Sequence, residues 1–316
     1  MASVWLNRLS HAPRLAGRFL RWGRPRRVLL FGPLSLGDDL LCTTVLHEAR
    51  RRGVPFAMCT ARPELFSGNA DPAGVLPVDD HYVAALRRLG SQVIQPYYLG
   101  RDPLQSDRDI LPPHHVAAEM CRLAGLTGTI AIRPYIFLTA TERARGTLHP
   151  RQIAIHSSGA AAALPYANKE WGAASFAAVA QQLAPDFHLV QVGSLRDPAL
   201  PVAVDLRGRT TLRETAAILA GSLAFVGLEG FLAHLARAVD CPSTVVFGGR
   251  ATPAIFGYSA NRNFYTPTPC APCGLRDTCP HDRLCMTNIS SKAVALAARD
   301  LANRPRSPLV IDEITL

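Results

Sequence analysis

"LLFGPLSLGDDLLCTTVL", residues 29–46, reads as an apolar strand, a glycine turn and an apolar helix. Gly32 and Gly37 stand five apart, the outline of a phosphate loop. Such a loop continues with Lys and Ser or Thr, whereas this chain continues with Asp38 and Asp39. Two carboxylates suit the positive end of a helix, but they repel a phosphate. The turn is a strand-to-helix corner whose tip is acidic, so its partner is expected to be something other than a phosphate.

Outward from this corner the first half alternates. Strands are expected at 27–32, 54–60, 74–78 and 92–97, with helices at 38–52, 81–89 and 114–124. Polar residues 99–113 read as an exposed loop and 139–150 as an interdomain linker. The rhythm restarts with strands at 153–159, 188–193, 224–227 and 243–249 and helices at 172–184, 211–221 and 230–239. Repeated βαβ units predict parallel sheets. At 316 residues the chain suits two domains. The expected division is a basic arm over 1–26, an α/β domain over 27–145, and a second over 151–289 containing a Cys-rich loop at 266–287. A final helix at 290–304 follows.

The formal net charge of +10 is concentrated. Residues 1–27 hold seven arginines and no acid, leaving +3 for the remainder. Leu15, Phe19 and Trp22 recur at helical spacing beside Arg14, Arg18 and Arg21. That pattern predicts an arm lying on an anionic membrane surface, the alternatives being a frayed leader or a helix packed on the domain. The rest of the chain is too near neutral for a nucleic-acid partner. No apolar run is long enough for a transmembrane helix, and the arm lacks the apolar core of a signal peptide, so a cytoplasmic location is expected.

The second half opens with "IAIHSSGAAAALPYANKEW". Ser157, Ser158 and Gly159 end a strand in small residues, and Lys169 brings positive charge before a helix. The pattern fits either a diphosphate site or an ordinary turn with a surface lysine. Lys169 and Lys292 are the only lysines, against 34 cations in all. Further on, "GLEGFLAHLA" turns a strand into a helix through Gly230. Glu229 then reads as a ligand for a sugar or ribose hydroxyl or as a helix-start charge, and His234 as a ligand or a half-buried helix histidine. Thr210 or Thr211 can cap the helix at 211–221.

In order and spacing, "GPLSLGDDLLCTTVLHEARRRG", "HSSG…NKEW", "RGRTTLRETAAILAGS" and "GLEGFLAHLARAVDCPSTVVFGG" resemble glycosyltransferase family 9, the heptosyltransferase family, over about residues 27–303. "FGYSANRNF…CAPC…CM" is similar to a subgroup of it. The resemblance implies the GT-B fold, two Rossmann-like domains facing across a cleft. It implies inverting transfer of a heptose, usually from ADP-heptose, to a lipopolysaccharide or other surface-glycan acceptor. It further implies Asp38 as general base, Lys169 at the leaving diphosphate, and Gly230 and His234 beside diphosphate or sugar. Nucleoside contacts are expected from 207–214, with Thr211 and Glu214 as candidates. Glu229 and Gly230–Phe231 stand where the family has an aspartate and a Ser/Thr-Gly pair. No catalytic metal is expected. A protein acceptor, another nucleotide sugar, or a non-catalytic nucleotide-binding module are the other readings. A nicotinamide oxidoreductase is disfavoured because no Gly-x-Gly-x-x-Gly follows a strand.

Cys42, Cys59, Cys121 and Cys241 fall in strand or helix patterns and read as buried apolar side chains. Cys270, Cys273, Cys279 and Cys285 form C-x2-C-x5-C-x5-C, with His281 between the last two. In a cytosolic protein this spacing suits structural zinc or iron, the alternatives being free thiols and a disulfide.

Overall fold

The computed structural model describes residues 15–31 and 36–316. Arg8, Arg14 and Gly32 lie outside the described residues. Strands β1 (Arg27–Leu30), β2 (Ala57–Thr60), β3 (Val75–Pro77) and β4 (Gln92–Ile94) form a parallel sheet ordered β3-β2-β1-β4. A two-stranded ribbon, β5 (Gly100–Arg101) with β6 (Asp109–Ile110), and β7 (Thr129–Ile132) complete the first half.

The second sheet holds β8 (Gln152–Ile155), β9 (His188–Gln191), β10 (Val204–Asp205), β11 (Ala224–Leu228), β12 (Ser243–Phe247) and β13 (Arg262–Tyr265). It is wholly parallel, in the order β10-β9-β8-β11-β12-β13. Its central strands QIAI, AFVGL and STVVF are buried along their whole length, as strands covered by helices on both faces must be. Both sheets reverse strand order beside their first strand, between β1 and β4 and between β8 and β11. Open α/β sheets bind ligands at such reversals, outside the carboxyl ends of the strands.

The helices that leave these two reversals pack on each other. Helix Leu36–Arg51 follows β1 and helix Phe231–Ala238 follows β11, and they meet across the seam. Leu41, Val45, Leu232, Leu235 and Ala236 belong to one core cluster that runs through both halves.

The expected linker is structured. Thr139 and Glu142 close a capping box on helix Ala140–Arg145. The next residue, Gly146, lies so close to helix Leu212–Gly221 that a Cβ would stand 1.9 Å from the Ala217 carbonyl oxygen. The buried Gln152 amide donates to Gly146 O, Ile218 O and Ser222 Oγ and accepts from Leu148 N. Arg213 reaches Glu142 and the Phe137 carbonyl. The connection between halves is therefore a brace rather than a tether.

The final helix, Ser291–Asn303, packs on helix Ala173–Leu183. The chain then returns to the first half, where β14 (Asp312–Thr315) pairs antiparallel with β7. On the way the Val310 carbonyl accepts from Arg237, which is 1% exposed.

Of the arm, residues 15–22 are helical. Phe19 and Trp22 pack on Tyr82, Arg18 pairs with Asp79 at 2.6 Å, and the Tyr82 hydroxyl donates to Gly23 O. Phe19 and Trp22, two of the three apolar side chains that the sequence assigns to a membrane, thus cover the first domain. Among the described residues, no helix is long and apolar enough to cross a membrane.

The brace gives a direct test. Gly146→Ala forces a methyl group into the Ala217 peptide and is expected to cost about 3 kcal/mol of stability. Denaturant titration of the variant reads it, and an unchanged midpoint would mean the brace yields freely.

Candidate active site

Asp38 and Asp39 occupy the first turn of helix Leu36–Arg51 and point to different tasks. Asp39 is 1% exposed and accepts from Arg62 Nη1 at 2.9 Å and Thr60 Oγ1 at 3.0 Å. Burial pushes its carboxyl up, and the Arg62 and Thr60 hydrogen bonds oppose the rise. It ties the helix to β2. Asp38 faces the other way, and its Oδ1 accepts from the Tyr98 hydroxyl at 2.6 Å. Burial, and then the Asp38 carboxylate, push the Tyr98 phenol well above its usual range, so it stays a donor. Tyr98 lies just beyond β4, on the far side of the strand reversal from Asp38.

The seam continues through aromatic contacts. The Tyr98 ring lies 6.0 Å from Phe256 of the second half, and Lys169 Nζ stands 5.7 Å from Phe256. Gly37, next to Asp38, has Phe231 Cα and His234 Cδ2 at ordinary contact distance from where its Cβ would be. Asp38, Lys169 and His234 therefore converge on one junction.

Lys169 ends a short 3-10 turn, Ala167–Lys169, and its Nζ donates to Glu229 Oε1 at 2.9 Å. The two residues expected to contact the donor hold each other. Gly230 has φ +145° and ψ −160°, a conformation open to glycine alone, and it starts helix Phe231–Ala238 with no side-chain cap.

His234 Nδ1 and the Tyr258 hydroxyl are joined at 2.7 Å. Burial and then the Lys169 charge hold His234 down at about 3. His115, from the first half, sits 5.5 Å from the same Tyr258 ring. It donates from Nε2 to Gly257 O at 2.9 Å and accepts at Nδ1 from Ala117 N, so it is the neutral Nε2–H tautomer. Burial, and then His234, depress it to about 3 as well. His234 thus meets a ligand as a neutral group and brings no charge to a diphosphate.

Other expected contacts lie inside the second half. Ser157 is fully buried, donating to Pro198 O and accepting from Gln191. Ser158 accepts from Ala160 N, and Gly159 N donates to Glu170. Thr211 and Glu214 form a capping box at the start of helix Leu212–Gly221. Glu214 Oε2 accepts from both Thr211 N and Thr211 Oγ1, so a ribose would have to share it with the cap.

Cys42, Cys59, Cys121 and Cys241 are buried thiols, as expected. Cys270 is exposed, and Cys273, Cys279 and Cys285 are half-buried. Cys279 Sγ accepts from Arg283 N. Among the described residues, no group of three or more His, Cys, Asp or Glu is placed to hold a metal ion. The zinc or iron expected from the spacing of Cys270, Cys273, Cys279 and Cys285 finds no ligand set in this arrangement.

Sequence reasoning missed Tyr98, Tyr166 and Arg250. Tyr166 carries two cations over its ring, Arg250 at 4.5 Å and Lys169 at 5.4 Å.

Residues 139–283 match the family model of glycosyltransferase family 9 (heptosyltransferase). This region is a family 9 glycosyltransferase domain. Solved structures agree in architecture over nearly the whole chain. Escherichia coli ADP-heptose lipopolysaccharide heptosyltransferase II superposes with a TM-score of 0.63 at 16% identity, covering 87% of this chain and 98% of its own. A family 9 glycosyltransferase from Veillonella parvula gives 0.61 at 14%, covering 88% and 97%. TibC, an iron-containing dodecameric glycosyltransferase of enterotoxigenic E. coli, gives 0.66 at 16%, covering 88% and 76%. TibC has also been solved with ADP-D-β-D-heptose. No curated protein matches in sequence. The protein is a glycosyltransferase of the α/β class with the two-domain GT-B fold.

The buried histidines set a pH dependence. Unfolded, each binds a proton below about 6.5, and folded, only near 3. The stability they contribute is complete above 6.5 and drains away as pH falls toward 3. Melting temperature is expected to drop between pH 7 and pH 5, and less steeply in His115→Gln. Parallel slopes in the two proteins would contradict this origin.

Proposed function

We propose that this protein is an inverting glycosyltransferase that moves a heptose from ADP-heptose to a lipopolysaccharide or other surface-glycan acceptor. What carries the reading is one juxtaposition: a carboxylate of the first half, Asp38, facing the seam on which Lys169 of the second half lies. Asp38 takes the proton of the acceptor hydroxyl as its oxygen bonds to the anomeric carbon. The bond from that carbon to the diphosphate breaks in the same displacement, and its electron pair leaves with the diphosphate. One displacement inverts the anomeric centre. Lys169 supplies positive charge where negative charge grows. Tyr98, donating to Asp38 Oδ1, fixes the direction in which the carboxylate points.

The ADP-heptose complex of TibC and the naming of heptosyltransferase II support a heptose donor by family analogy. A protein acceptor is the second reading within the same chemistry. A silent binding module has no need of a carboxylate held at the seam by a buried phenol.

The acceptor is lipid-linked in this reading, and the protein works at the inner face of the cytoplasmic membrane. Since Phe19 and Trp22 are packed on the domain, attachment by residues 1–27 rests on arginine charge and is salt-sensitive. Cosedimentation with anionic vesicles should be strong at low salt and lost at about 0.5 M, where the screening length shrinks to a few ångströms. Equal binding to zwitterionic vesicles would remove the electrostatic account.

Asp38→Asn is expected to lower transfer by about a hundredfold or more while ADP still binds. Lys169→Ala should weaken ADP binding. Product mass spectrometry with a panel of nucleotide sugars and of lipid or protein acceptors reads the activity, and near-normal turnover of Asp38→Asn would reject the base.

A further inference from the structure

The charges described so far do not suffice for a leaving diphosphate. Lys169 is neutralised by Glu229, and His234 is uncharged. The missing cation lies one strand away. Arg250 follows Gly248 and Gly249 at the end of β12 and is 2% exposed. A Cβ on Gly248 would stand 2.4 Å from the Asn168 carbonyl oxygen, so this glycine lets the Lys169 turn close onto the Arg250 loop. Arg250 and Lys169 consequently share the Tyr166 ring.

Arg250 is held by a borrowed partner. Its Nη2 donates to Asp109, which belongs to β6 of the first half. Arg276 Nε stands 3.5 Å from the other oxygen of that carboxylate. Two guanidinium groups thus share one carboxylate. The Nε of Arg250 and the Nε of Arg276 are both buried without a hydrogen-bond partner. Buried donors are rarely left unmet. A purely structural latch would be balanced. This one leaves two buried N–H groups unmet, one of them on Arg250, beside the residue expected at the leaving group.

We propose that Arg250 is the second cation of the transfer site: it binds the diphosphate of the nucleotide sugar, and Asp109 stands in for that anion while the site is empty. The inference rests on the glycosyltransferase reading and adds a residue to it. Because Asp109 comes from the first half, separating the halves uncovers the guanidinium, and the arriving diphosphate takes over its N–H groups. A planar fork suits two phosphate oxygens better than a point charge does.

Calorimetry on the full chain tests this with inorganic pyrophosphate, ADP, GDP, UDP and adenosine. Pyrophosphate requires no knowledge of the base. Arg250→Gln is expected to bind pyrophosphate and ADP on the order of tenfold to a hundredfold more weakly, with adenosine unchanged. Asp109→Asn, which removes the competing carboxylate, should bind pyrophosphate as tightly as the parent or more so. A folded Arg250→Gln with unaltered pyrophosphate affinity overturns the proposal, as does unaltered ADP affinity with weaker binding of an anionic acceptor. Should Arg250→Gln fail to fold, Asp109→Asn decides, and weaker pyrophosphate binding there overturns it. A parent protein that binds neither pyrophosphate nor any of the nucleoside diphosphates overturns the donor reading along with it.

Discussion

Helix Leu36–Arg51 packs against helix Phe231–Ala238, and the site exists because of that contact. Each helix starts at the strand reversal of its own sheet. Packing them together brings two helix N-termini, which carry Asp38 and Gly230, to one junction. The contact is apolar and continuous with both cores, so it fixes position without using a polar group that chemistry needs. The glycine at Gly37 permits close approach, with Phe231 and His234 at van der Waals distance. The brace at Gly146 and the return of β14 to β7 join the halves at two further places.

At the junction, charge is arranged in pairs rather than left free. Lys169 with Glu229, Arg250 with Asp109, and Asp39 with Arg62 each place opposite charges at hydrogen-bond distance with little solvent. Unpaired burial would be prohibitive, and pairing stores the charge until a ligand with a better geometry arrives. Two of the three pairs include a residue that the proposed reading assigns to the transfer reaction. The third keeps Asp39 out of it. Adjacent aspartates on one helix turn acquire separate roles because one meets an arginine and the other a phenol. The phenol cannot ionise beside a carboxylate, so it remains a donor that orients Asp38 without neutralising it.

Much of this was legible in the sequence, and the failures have physical causes. Two helices match their expected spans within two residues: Leu36–Arg51, buried on nearly every side, against 38–52, and Ser291–Asn303, with an apolar stripe, against 290–304. Helix Ala140–Arg145 has no buried residue and hence no stripe, so it read as linker. Its signal was the Thr139-x-x-Glu142 cap. The same signal, Thr211-x-x-Glu214, carries both the expected cap, which the structure shows as a capping box, and the expected nucleoside contact. Strand β14 pairs with a partner far away in sequence, and no local pattern announces such pairing. Asp38, Lys169, Glu229 and His234 stood out through glycine turns and residue type. Tyr98 did not, because its role depends on a contact across 60 positions. Arg250 did not either, since in an arginine-rich chain one more arginine carries no signal.

The Cys-rich segment illustrates how composition can draw attention to the right place for a different reason. Its backbone binds the first half: Asp107 accepts from the amides of Asp277 and Thr278, and Asp109 N donates to Gly274 O. It binds the Lys169 turn as well, since Asn168 donates its side-chain amide to Leu275 O and Thr278 O. One irregular stretch therefore clasps the acidic loop of the first half and the cationic turn of the second. Parting the halves at this edge breaks the Asp107 and Asp109 hydrogen bonds along with the Arg250–Asp109 pair, which belongs to the same contact. Among the contacts that resist opening, the Arg250–Asp109 pair is one that an anionic ligand could replace in the proposed reading. A diphosphate arriving at Arg250 would recover part of what opening loses, and in this way donor binding and separation of the halves become energetically linked.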